Sequence, residues 1–377
     1  MRTVRAAVTA LLAALLSLPA FALADPASSL APPAVSAESA FLMEASSGRI
    51  LLEKNADKRM EQASTTKIMT ALVAIEAGGL DRIVTVTEAA AGTEGSSIHL
   101  KAGETLPLLE LLYGLMLQSG NDAAVAIALA VDGSVDKFVQ RMNDKAAALG
   151  LVNTHFQNPN GLHAPEHYTT ARELALLSAA AMQNETFRTI VGTTYRVCEG
   201  CSSTRSFRNK NRFLTEYPGC NGVKTGYTKA AGKCLSFAAS RDGMQLVGTV
   251  LNAPKMWDDA RAILDFGFSN YESHLIRSAS EIFTVSVRGG EKSSLPAGLK
   301  CDILYPMRSD GAEAVSVSVS LKESVQAPVA AGDTLGTVRV TVNGEAVAEA
   351  PILARESVNR RGFGFAVRKL IGDWTGR

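Results

Sequence analysis

The hydrophobic pattern of this 377-residue chain changes near Asn270, and this change constrains the fold more than any other feature. Before it, apolar residues recur at helical spacing, as in residues 64–77. After it, apolar and polar residues alternate, as in Thr334–Val342. A chain of this length exceeds one ordinary domain. The pattern therefore predicts a mixed domain at residues 38–270 and a small β-rich domain at residues 271–356.

The first of these domains contains both helix and strand patterns. Two short apolar runs within residues 40–54 flank Ser46-Ser47-Gly48, which is typical of a hairpin. Five helices and three later strands are predicted: helices at 64–77, 106–118, 122–131, 135–149 and 170–182, and strands at 223–228, 233–240 and 245–251. A hairpin, a helical centre and final strands predict an α+β fold with helices packed over one antiparallel sheet.

The β-rich domain is expected to have a supporting role. Alternating segments occur at residues 281–287, 314–321, 334–342 and 345–352, with Gly and Asp-Gly turns between them. The region has no cluster of His, Cys or carboxylate side chains that indicates chemistry. We therefore expect a small all-β domain that acts as a spacer or an interaction module.

The first 24 residues have the features of a secretory signal peptide. Arg2 and Arg5 precede an apolar stretch at residues 6–18, and Ala22-Leu23-Ala24 forms a small-x-small cleavage site. The stretch is shorter than the roughly 18 residues of a spanning helix, with an uncleaved N-terminal anchor as the alternative. Residues 25–37 are rich in Pro, Ala and Ser and predict a flexible mature N-terminus. The protein is therefore expected to be exported.

The C-terminal segment, residues 357–377, predicts an amphipathic helix. Its apolar residues fall on one helical stripe that ends at Trp374. The segment contains five positively charged residues and a single acidic residue, Asp373. A basic amphipathic helix ending in Trp is typical of a segment that lies in a membrane interface. The alternative is a helix that docks on the protein's own surface.

Charge and cysteine content limit the possible partners. A formal net charge of +1 provides no global attraction to nucleic acid, so none is expected as a partner. Export permits disulfides, while Cys198, Cys201, Cys220 and Cys234 also loosely fit a four-thiolate zinc site. Since the second pair lacks Cys-x-x-Cys spacing, we favour disulfides or buried free thiols over zinc and expect no metal or cofactor. The connectivity stays open, and Cys301 is expected to be a buried thiol.

Three short motifs carry the candidate chemistry: Ser64-Thr65-Thr66-Lys67, Ser119-Gly120-Asn121 and Lys224-Thr225-Gly226. Singly, each is explained as readily by a helix cap, a solvated lysine or an edge strand. Together and in this order, they resemble the signature of penicillin-binding proteins and class A β-lactamases.

Ser64 is the candidate nucleophile, and Lys67 is its candidate base. A serine hydroxyl reacts only when a base removes its proton. Spacing of i to i+3 on a helix brings the Lys67 amine onto the face of Ser64. Because an unperturbed lysine is charged at pH 7, partial burial and the nearby cation Lys224 must lower the pKa of Lys67.

The second motif supplies proton transfer and orientation. Ser119 is the candidate relay that passes the proton to the leaving amine. Asn121 offers an amide that can hold both Lys67 and the carbonyl of the substrate peptide.

The third motif supplies substrate binding. Lys224 and Thr225 offer a positive field and a hydroxyl to a substrate carboxylate, and Gly226 permits close approach of the substrate to the strand. The backbone N–H groups of Ser64 and Tyr227 are expected to form an oxyanion hole, in which loss of one donor typically costs about 10²–10³ in rate.

Longer stretches resemble the serine D-alanyl-D-alanine carboxypeptidases, the low-molecular-mass penicillin-binding proteins. The stretch at residues 61–70 (EQASTTKIMT) resembles their nucleophile segment, and residues 156–162 (FQNPNGL) with 167–175 (HYTTARELA) resemble their loop over the active site. Residues 217–228 (YPGCNGVKTGYT) are the most specific match. The resemblance covers about residues 37–270, and the layout of the later segments matches more loosely.

This resemblance implies a penicillin-binding, β-lactamase-like transpeptidase fold. It implies removal of the terminal D-alanine from peptidoglycan stem pentapeptides, covalent inhibition by β-lactams at Ser64, and a location at the extracytoplasmic face of the cytoplasmic membrane or in the cell wall. One departure is the missing arginine after the final strands, where the chain reads Leu251-Asn252-Ala253-Pro254-Lys255. The carboxylate is then left to Thr225 and Lys224, with Lys255 as a further candidate.

Two alternatives belong to other functional classes. A serine β-lactamase deacylates with a positioned glutamate in a Glu-x-x-Leu-Asn segment. This chain has no such segment, and Glu166 is expected to be a surface residue. A non-catalytic cell-wall-binding or sporulation protein would not require a Ser-x-x-Lys pair, which argues against that class.

Overall fold

The computed structural model describes residues 30–362 and Trp374. The chain divides into two compact units between Asn270 and Tyr271. The predicted signal peptide lies outside the described residues, as does most of the predicted C-terminal helix. No helix in residues 30–362 is both long and apolar enough to cross a membrane.

The strands of the first unit are, in chain order, β1 (Ser39–Glu44), β2 (Ile50–Lys54), β3 (Ile83–Thr85), β4 (Thr105–Pro107), β5 (Tyr195–Val197), β6 (Ser206–Arg208), β7 (Cys220–Thr228), β8 (Gly232–Arg241) and β9 (Met244–Leu251). Five of them form one antiparallel sheet in the order β2-β1-β9-β8-β7. The short strands pair separately as β3 with β4 and β5 with β6.

Helices form the centre of this unit and pack on the sheet, as the sequence predicted. A 3₁₀ turn at Ala63–Thr66 precedes them. The α-helices are α1 (Lys67–Ala77), α2 (Glu88–Ala91), α3 (Leu108–Leu117), α4 (Asn121–Asp132), α5 (Val135–Ala148), α6 (Ala171–Met182), α7 (Glu185–Gly192), α8 (Phe213–Glu216) and α9 (Met256–Asn270). Side-chain caps explain several starts: Thr170, for example, accepts a hydrogen bond from the N–H of Glu173 at the start of α6.

Three details of this unit differ from the sequence-based expectations. The first turn after Ala63 is 3₁₀ rather than α, so Ser64 precedes helix α1 instead of lying within it. Helices α2, α7, α8 and α9 and the short strands β3 to β6 were not predicted. The end of the supposedly flexible segment 25–37 is packed, because the N–H and Oγ of Ser36 donate to the two carboxylate oxygens of Asp259 at 2.8 and 2.7 Å. Asp259 is buried and requires such donors.

The second unit is all-β in its described part, as predicted. The strands are β10 (Tyr271–Arg277), β11 (Phe283–Arg288), β12 (Ser294–Gly298), β13 (Ile303–Arg308), β14 (Val315–Leu321), β15 (Ser324–Gln326), β16 (Thr334–Val342) and β17 (Glu345–Ala354). One six-stranded sheet has the order β14-β16-β17-β12-β11-β15, and β10 pairs with β13. Val285, Leu295, Val338 and Ile352 lie in its apolar core.

The described start of the predicted C-terminal helix is extended. Val358 and Arg360 form isolated β-bridges with Val329 and Gly290. Backbone pairing with the second unit competes with helix formation there. Residues 363–373 and 375–377 of the predicted helix lie outside the described part of the chain.

The cysteines separate into one bonded pair and three free thiols. Cys198 and Cys201 form a disulfide, so they are not available as thiolate ligands for zinc. Cys220 and Cys234 are free, and burial raises the pKa of each thiol to about 11. The expectation of a buried Cys301 is wrong: this thiol is exposed, because it lies in the turn that leads into β13.

Candidate active site

Ser64 lies in a 3₁₀ turn whose first residue, Ala63, has a strained backbone conformation. Ala63 has a φ of +47°, in the left-handed region that non-glycine residues rarely adopt. Gly161 lies against this turn, because a Cβ atom on Gly161 would be 1.9 Å from the carbonyl oxygen of Ala63. Strain of this kind costs about 1–3 kcal/mol and concentrates at functional sites.

The amine of Lys67 is fully buried and contacts three oxygen atoms. Its Nζ lies 2.9 Å from Oγ of Ser64, 2.7 Å from Oδ1 of Asn121 and 2.5 Å from the carbonyl oxygen of Asn160. A neutral amine has two hydrogen atoms and one lone pair. When the amide and the carbonyl accept the two hydrogens, the lone pair faces the hydroxyl of Ser64.

Burial and neighbouring cations favour this neutral form. The pKa of Lys67 is lowered well below its usual range, first by burial and then by the charges of Lys224 and Lys210, with Asp122 opposing the shift. The pKa of Lys224 is itself lowered to about 7, by burial and by Lys210. The first motif and Lys224 are therefore close enough to interact electrostatically.

The second motif lies where helix α4 begins. Ser119 is almost buried and has a φ of +64°. Asn121 is held on both sides: its backbone N–H donates to the carbonyl oxygen of Ser96 at 2.6 Å, and Nδ2 donates to the carbonyl oxygen of Glu94 at 2.7 Å. Because Nδ2 is engaged with Glu94, Oδ1 is oriented toward Lys67.

The third motif lies on β7, the edge strand of the sheet. A Cβ atom on Gly226 would lie 3.1 Å from the backbone nitrogens of Ser64 and Thr65, so this strand passes directly beside the 3₁₀ turn. Lys224 is buried and donates to the carbonyl oxygen of Thr225 at 3.0 Å. Thr225 is half-buried and the side chain of Tyr227 is exposed. The structure thus brings the three motifs together.

Sequence reasoning missed three contributors to this site. Asn160 contributes a backbone carbonyl, and no side-chain pattern reports such a contact. His167 is buried, with Nε2 2.7 Å from Oγ1 of Thr66, and burial lowers its pKa to about 4. Lys210 acts on the pKa of both site lysines. For Asn160 and His167, the only sequence signal was that they lie in the stretches that resemble the carboxypeptidase loop over the active site.

The two outlying candidates are exposed. Lys255 is exposed, and its backbone N–H donates to Oγ of Ser36. Glu166 is an exposed residue, in agreement with the sequence-based expectation.

Comparisons with known proteins identify the family of this chain. A family model described as D-alanyl-D-alanine carboxypeptidase matches residues 26–255. The chain belongs to the D-alanyl-D-alanine carboxypeptidase family. A second model, the C-terminal domain of penicillin-binding protein 5, matches residues 271–360.

Relatives in this carboxypeptidase family match along most of the chain. The D-alanyl-D-alanine carboxypeptidase DacF of Bacillus subtilis is 35% identical over 350 residues, which is 90% of this chain and 90% of that protein. DacC of Escherichia coli is 34% identical over 351 residues, covering 87% and 86% of the two chains.

Solved structures of the carboxypeptidase family have the same fold. Penicillin-binding protein 5 from Haemophilus influenzae superimposes with a TM-score of 0.73 at 29% identity, covering 88% of this chain and 100% of that chain. The Streptomyces K15 DD-transpeptidase gives 0.61 at 37% identity, covering 64% and 100%. The predicted family and the fold, an antiparallel sheet with helices followed by an all-β domain, are confirmed.

Proposed function

We propose that this protein is a serine D-Ala-D-Ala carboxypeptidase that removes the terminal D-alanine from peptidoglycan stem pentapeptides through an acyl-enzyme on Ser64. The proposal rests above all on the buried Lys67 amine, 2.9 Å from Oγ of Ser64. Oδ1 of Asn121 and the carbonyl oxygen of Asn160 accept hydrogen bonds from the two hydrogens of this amine in its neutral form. Such an amine can accept the proton of the attacking hydroxyl.

Acylation follows from this arrangement. As Oγ of Ser64 bonds to the carbonyl carbon of the penultimate D-alanine, its proton passes to Nζ of Lys67. The bond between this carbon and the nitrogen of the terminal D-alanine then breaks, and Ser119 relays the proton to the leaving nitrogen. Water hydrolyses the resulting ester, and Oγ of Ser64 regains its proton. A β-lactam acylates in the same way, except that its leaving nitrogen stays attached to the acyl group.

The third motif would position the substrate. The backbone N–H groups of Ser64 and Tyr227 would hold the developing oxyanion, a role supported by the close passage of Gly226 beside the 3₁₀ turn. Lys224 and Thr225 would bind the terminal carboxylate. Lys210 would add positive charge to the site, since its charge reaches both Lys67 and Lys224.

Two assays distinguish this function from its alternatives. A fluorescent penicillin should label the protein stably, and a diacyl-Lys-D-Ala-D-Ala peptide should release D-alanine. Ser64→Ala should abolish both. Rapid loss of the label would indicate a β-lactamase, which the exposed position of Glu166 disfavours. Absence of both reactions would indicate a non-catalytic cell-wall-binding protein.

Export and membrane association are further parts of the proposal. They are supported by the n-region with Arg2 and Arg5, the cleavage site at residues 22–24 and the basic amphipathic pattern up to Trp374. The protein would then act on the extracytoplasmic face of the cytoplasmic membrane, in contact with the cell wall.

Deletion of residues 363–377 tests the membrane contact. This deletion spares Val358 and Arg360, which pair with the second unit. We expect the shortened protein to be lost from anionic phospholipid vesicles on sedimentation while D-alanine release persists. The charge variant Arg368→Gln with Lys369→Gln is the matched control and should weaken vesicle binding partially. Undiminished sedimentation of the deletion variant would contradict the anchor.

A further inference from the structure

Loop 94–100, the segment between α2 and β4 that includes Glu94 to Leu100, lies between helix α4 and a disulfide-closed hairpin. It has no helix or strand of its own. The disulfide hairpin is formed by β5, β6 and their connection, which contains the Cys198–Cys201 bond. The catalytic proposal assigns no role to either segment.

The α4 side of loop 94–100 is bonded to two adjacent residues. Asn121 binds the carbonyl oxygens of Glu94 and Ser96. The fully buried carboxylate of Asp122 accepts hydrogen bonds from Oγ of Ser97 at 2.6 Å and from the N–H groups of residues 98 and 100 at 3.1 Å. The loop therefore determines which way the amide of Asn121 faces.

The opposite side of the loop is bonded to Arg205 of the disulfide hairpin. Its Nη2 donates to the carbonyl oxygen of His99 at 2.8 Å, and its Nη1 donates to the carbonyl oxygen of Ile98. His99 has a φ of +59°, a strained conformation that persists only where its surroundings hold it. The guanidinium of Arg205 thus holds the loop by hydrogen bonds at its strained residue, His99.

Arg205 is itself held rigidly. It forms a nearly buried ion pair with Glu104, whose side chain also accepts from Ser203 and from the N–H of Lys101. Burial alone would raise the pKa of Glu104, but these hydrogen bonds outweigh it and lower the pKa to about 2. The backbone N–H of Ser202 donates to the carbonyl oxygen of Thr105 at 2.9 Å, which fastens the hairpin beside Glu104.

We propose that Arg205 is a positioning residue for acylation, which acts through loop 94–100 to keep Oδ1 of Asn121 on the amine of Lys67. The proposal rests on the function proposed above, in which Asn121 and Lys67 act on Ser64. Without the guanidinium, the carbonyls of Ile98 and His99 lose their charged donor and the strained backbone relaxes. The carbonyl of Glu94 then shifts from Nδ2 of Asn121, and the amide is free to rotate.

The test measures the rate constant of Ser64 acylation by a fluorescent penicillin, expressed per active site. Arg205→Lys keeps a positive charge for Glu104 but has no planar fork that spans two carbonyls and a carboxylate. We expect this variant to acylate about 10–100-fold more slowly, because a displacement of about 1 Å in a catalytic group can cost up to about 10²-fold. The fraction of sites labelled at saturation should equal that of the wild type, since the variant folds.

Arg196→Lys is the matched control. Arg196 lies in the same hairpin and binds the buried Glu110 of helix α3 through Nε and Nη2, so its lysine variant likewise keeps a positive charge beside a buried carboxylate and loses the planar fork. Arg196 contacts Glu110 and Glu199 rather than loop 94–100. We expect a lower melting temperature but an acylation rate constant per site equal to that of the wild type.

A double-mutant cycle tests whether Arg205 acts through Asn121. In an Asn121→Ala background, Arg205→Lys should have no further effect on acylation. An equal loss in both backgrounds, or a wild-type rate in Arg205→Lys alone, would overturn the inference. A wild-type protein that penicillin does not label would instead refute the proposed function on which the inference rests.

Discussion

The two units of the molecule differ in what they bury. Apart from the tyrosines Tyr271 and Tyr305, all the buried polar and charged side chains of the described chain, from Ser39 to Asp259, belong to the first unit. In residues 271–362 the fully buried side chains are apolar, as in the cluster around Val338 and Ile352. The second unit follows the ordinary rule for a small β-domain, whereas the first departs from it around Ser64.

The polar groups buried in the first unit carry a cost in folding free energy that the second unit avoids. A buried polar group is unfavourable unless it is hydrogen-bonded, and a buried charge is more so. The first unit meets this requirement with specific partners, such as the three oxygens around Lys67 and the donors around Asp122. The second unit has no comparable groups among its described residues, which fits a supporting role.

Removal of the Lys67 amine should have the largest effect and tests whether the buried polar cluster serves chemistry. We expect Lys67→Met to slow the acylation of Ser64 by penicillin about 10²–10⁴-fold, because the general base is lost. Its melting temperature should change little, because the apolar side chain removes the unfavourable burial of an amine but leaves the acceptors of Asn121 and Asn160 without their donor. Lys137→Met, at an exposed lysine of the same unit, is the control and should match the wild type. A Lys67→Met rate within tenfold of the wild type would contradict the role of base.

A core substitution in the second unit tests the other side of the comparison. Ile352→Ala should lower the free energy of unfolding of that unit by about 2–5 kcal/mol, because it leaves a cavity at a fully buried site. The acylation rate constant per site should stay unchanged. Ile68→Ala, at a fully buried position beside Lys67, is the matched variant and should lower both quantities. Slower acylation in Ile352→Ala would show that the second unit contributes to catalysis.

Lowering the pH should destabilise the first unit through Glu104, and this effect should be smaller than those of the substitutions above. The folded pKa of Glu104 is depressed to about 2, so its stabilisation is fully present above pH 4.5 and is lost as the pH falls toward 2. At about 1.4 kcal/mol per pKa unit, the first unit should lose about 3 kcal/mol over this range. Thermal unfolding at several pH values measures it, with Glu104→Gln as the control that removes this part of the pH dependence. An unchanged pH profile in Glu104→Gln would refute the assignment.

Most of the fold was predictable because its signals are local. The helical spacing that predicts residues 135–149 and the alternation that predicts Thr334–Val342 are properties of consecutive residues, and both segments form as expected. Helix α9 was missed because its hydrophobic periodicity is interrupted by aspartates and glycine. The 3₁₀ turn at Ser64 was missed because it depends on contacts with Gly161 and Gly226, which are remote in sequence.

The sequence by itself indicated the candidate nucleophile and its candidate base, since residues three apart lie on the same face of a 3₁₀ turn as well as of an α-helix, and Ser64 does contact Lys67. Only the tertiary structure decided what surrounds this amine. The oxygens of Asn121 and Asn160 come from 54 and 93 positions along the chain. The hydrogen bonds between Arg205 and loop 94–100 likewise join residues more than 100 positions apart in the sequence. Residues this far apart in sequence come into contact only when the packed core brings their helices, strands and loops together. A pattern in consecutive residues cannot predict such contacts.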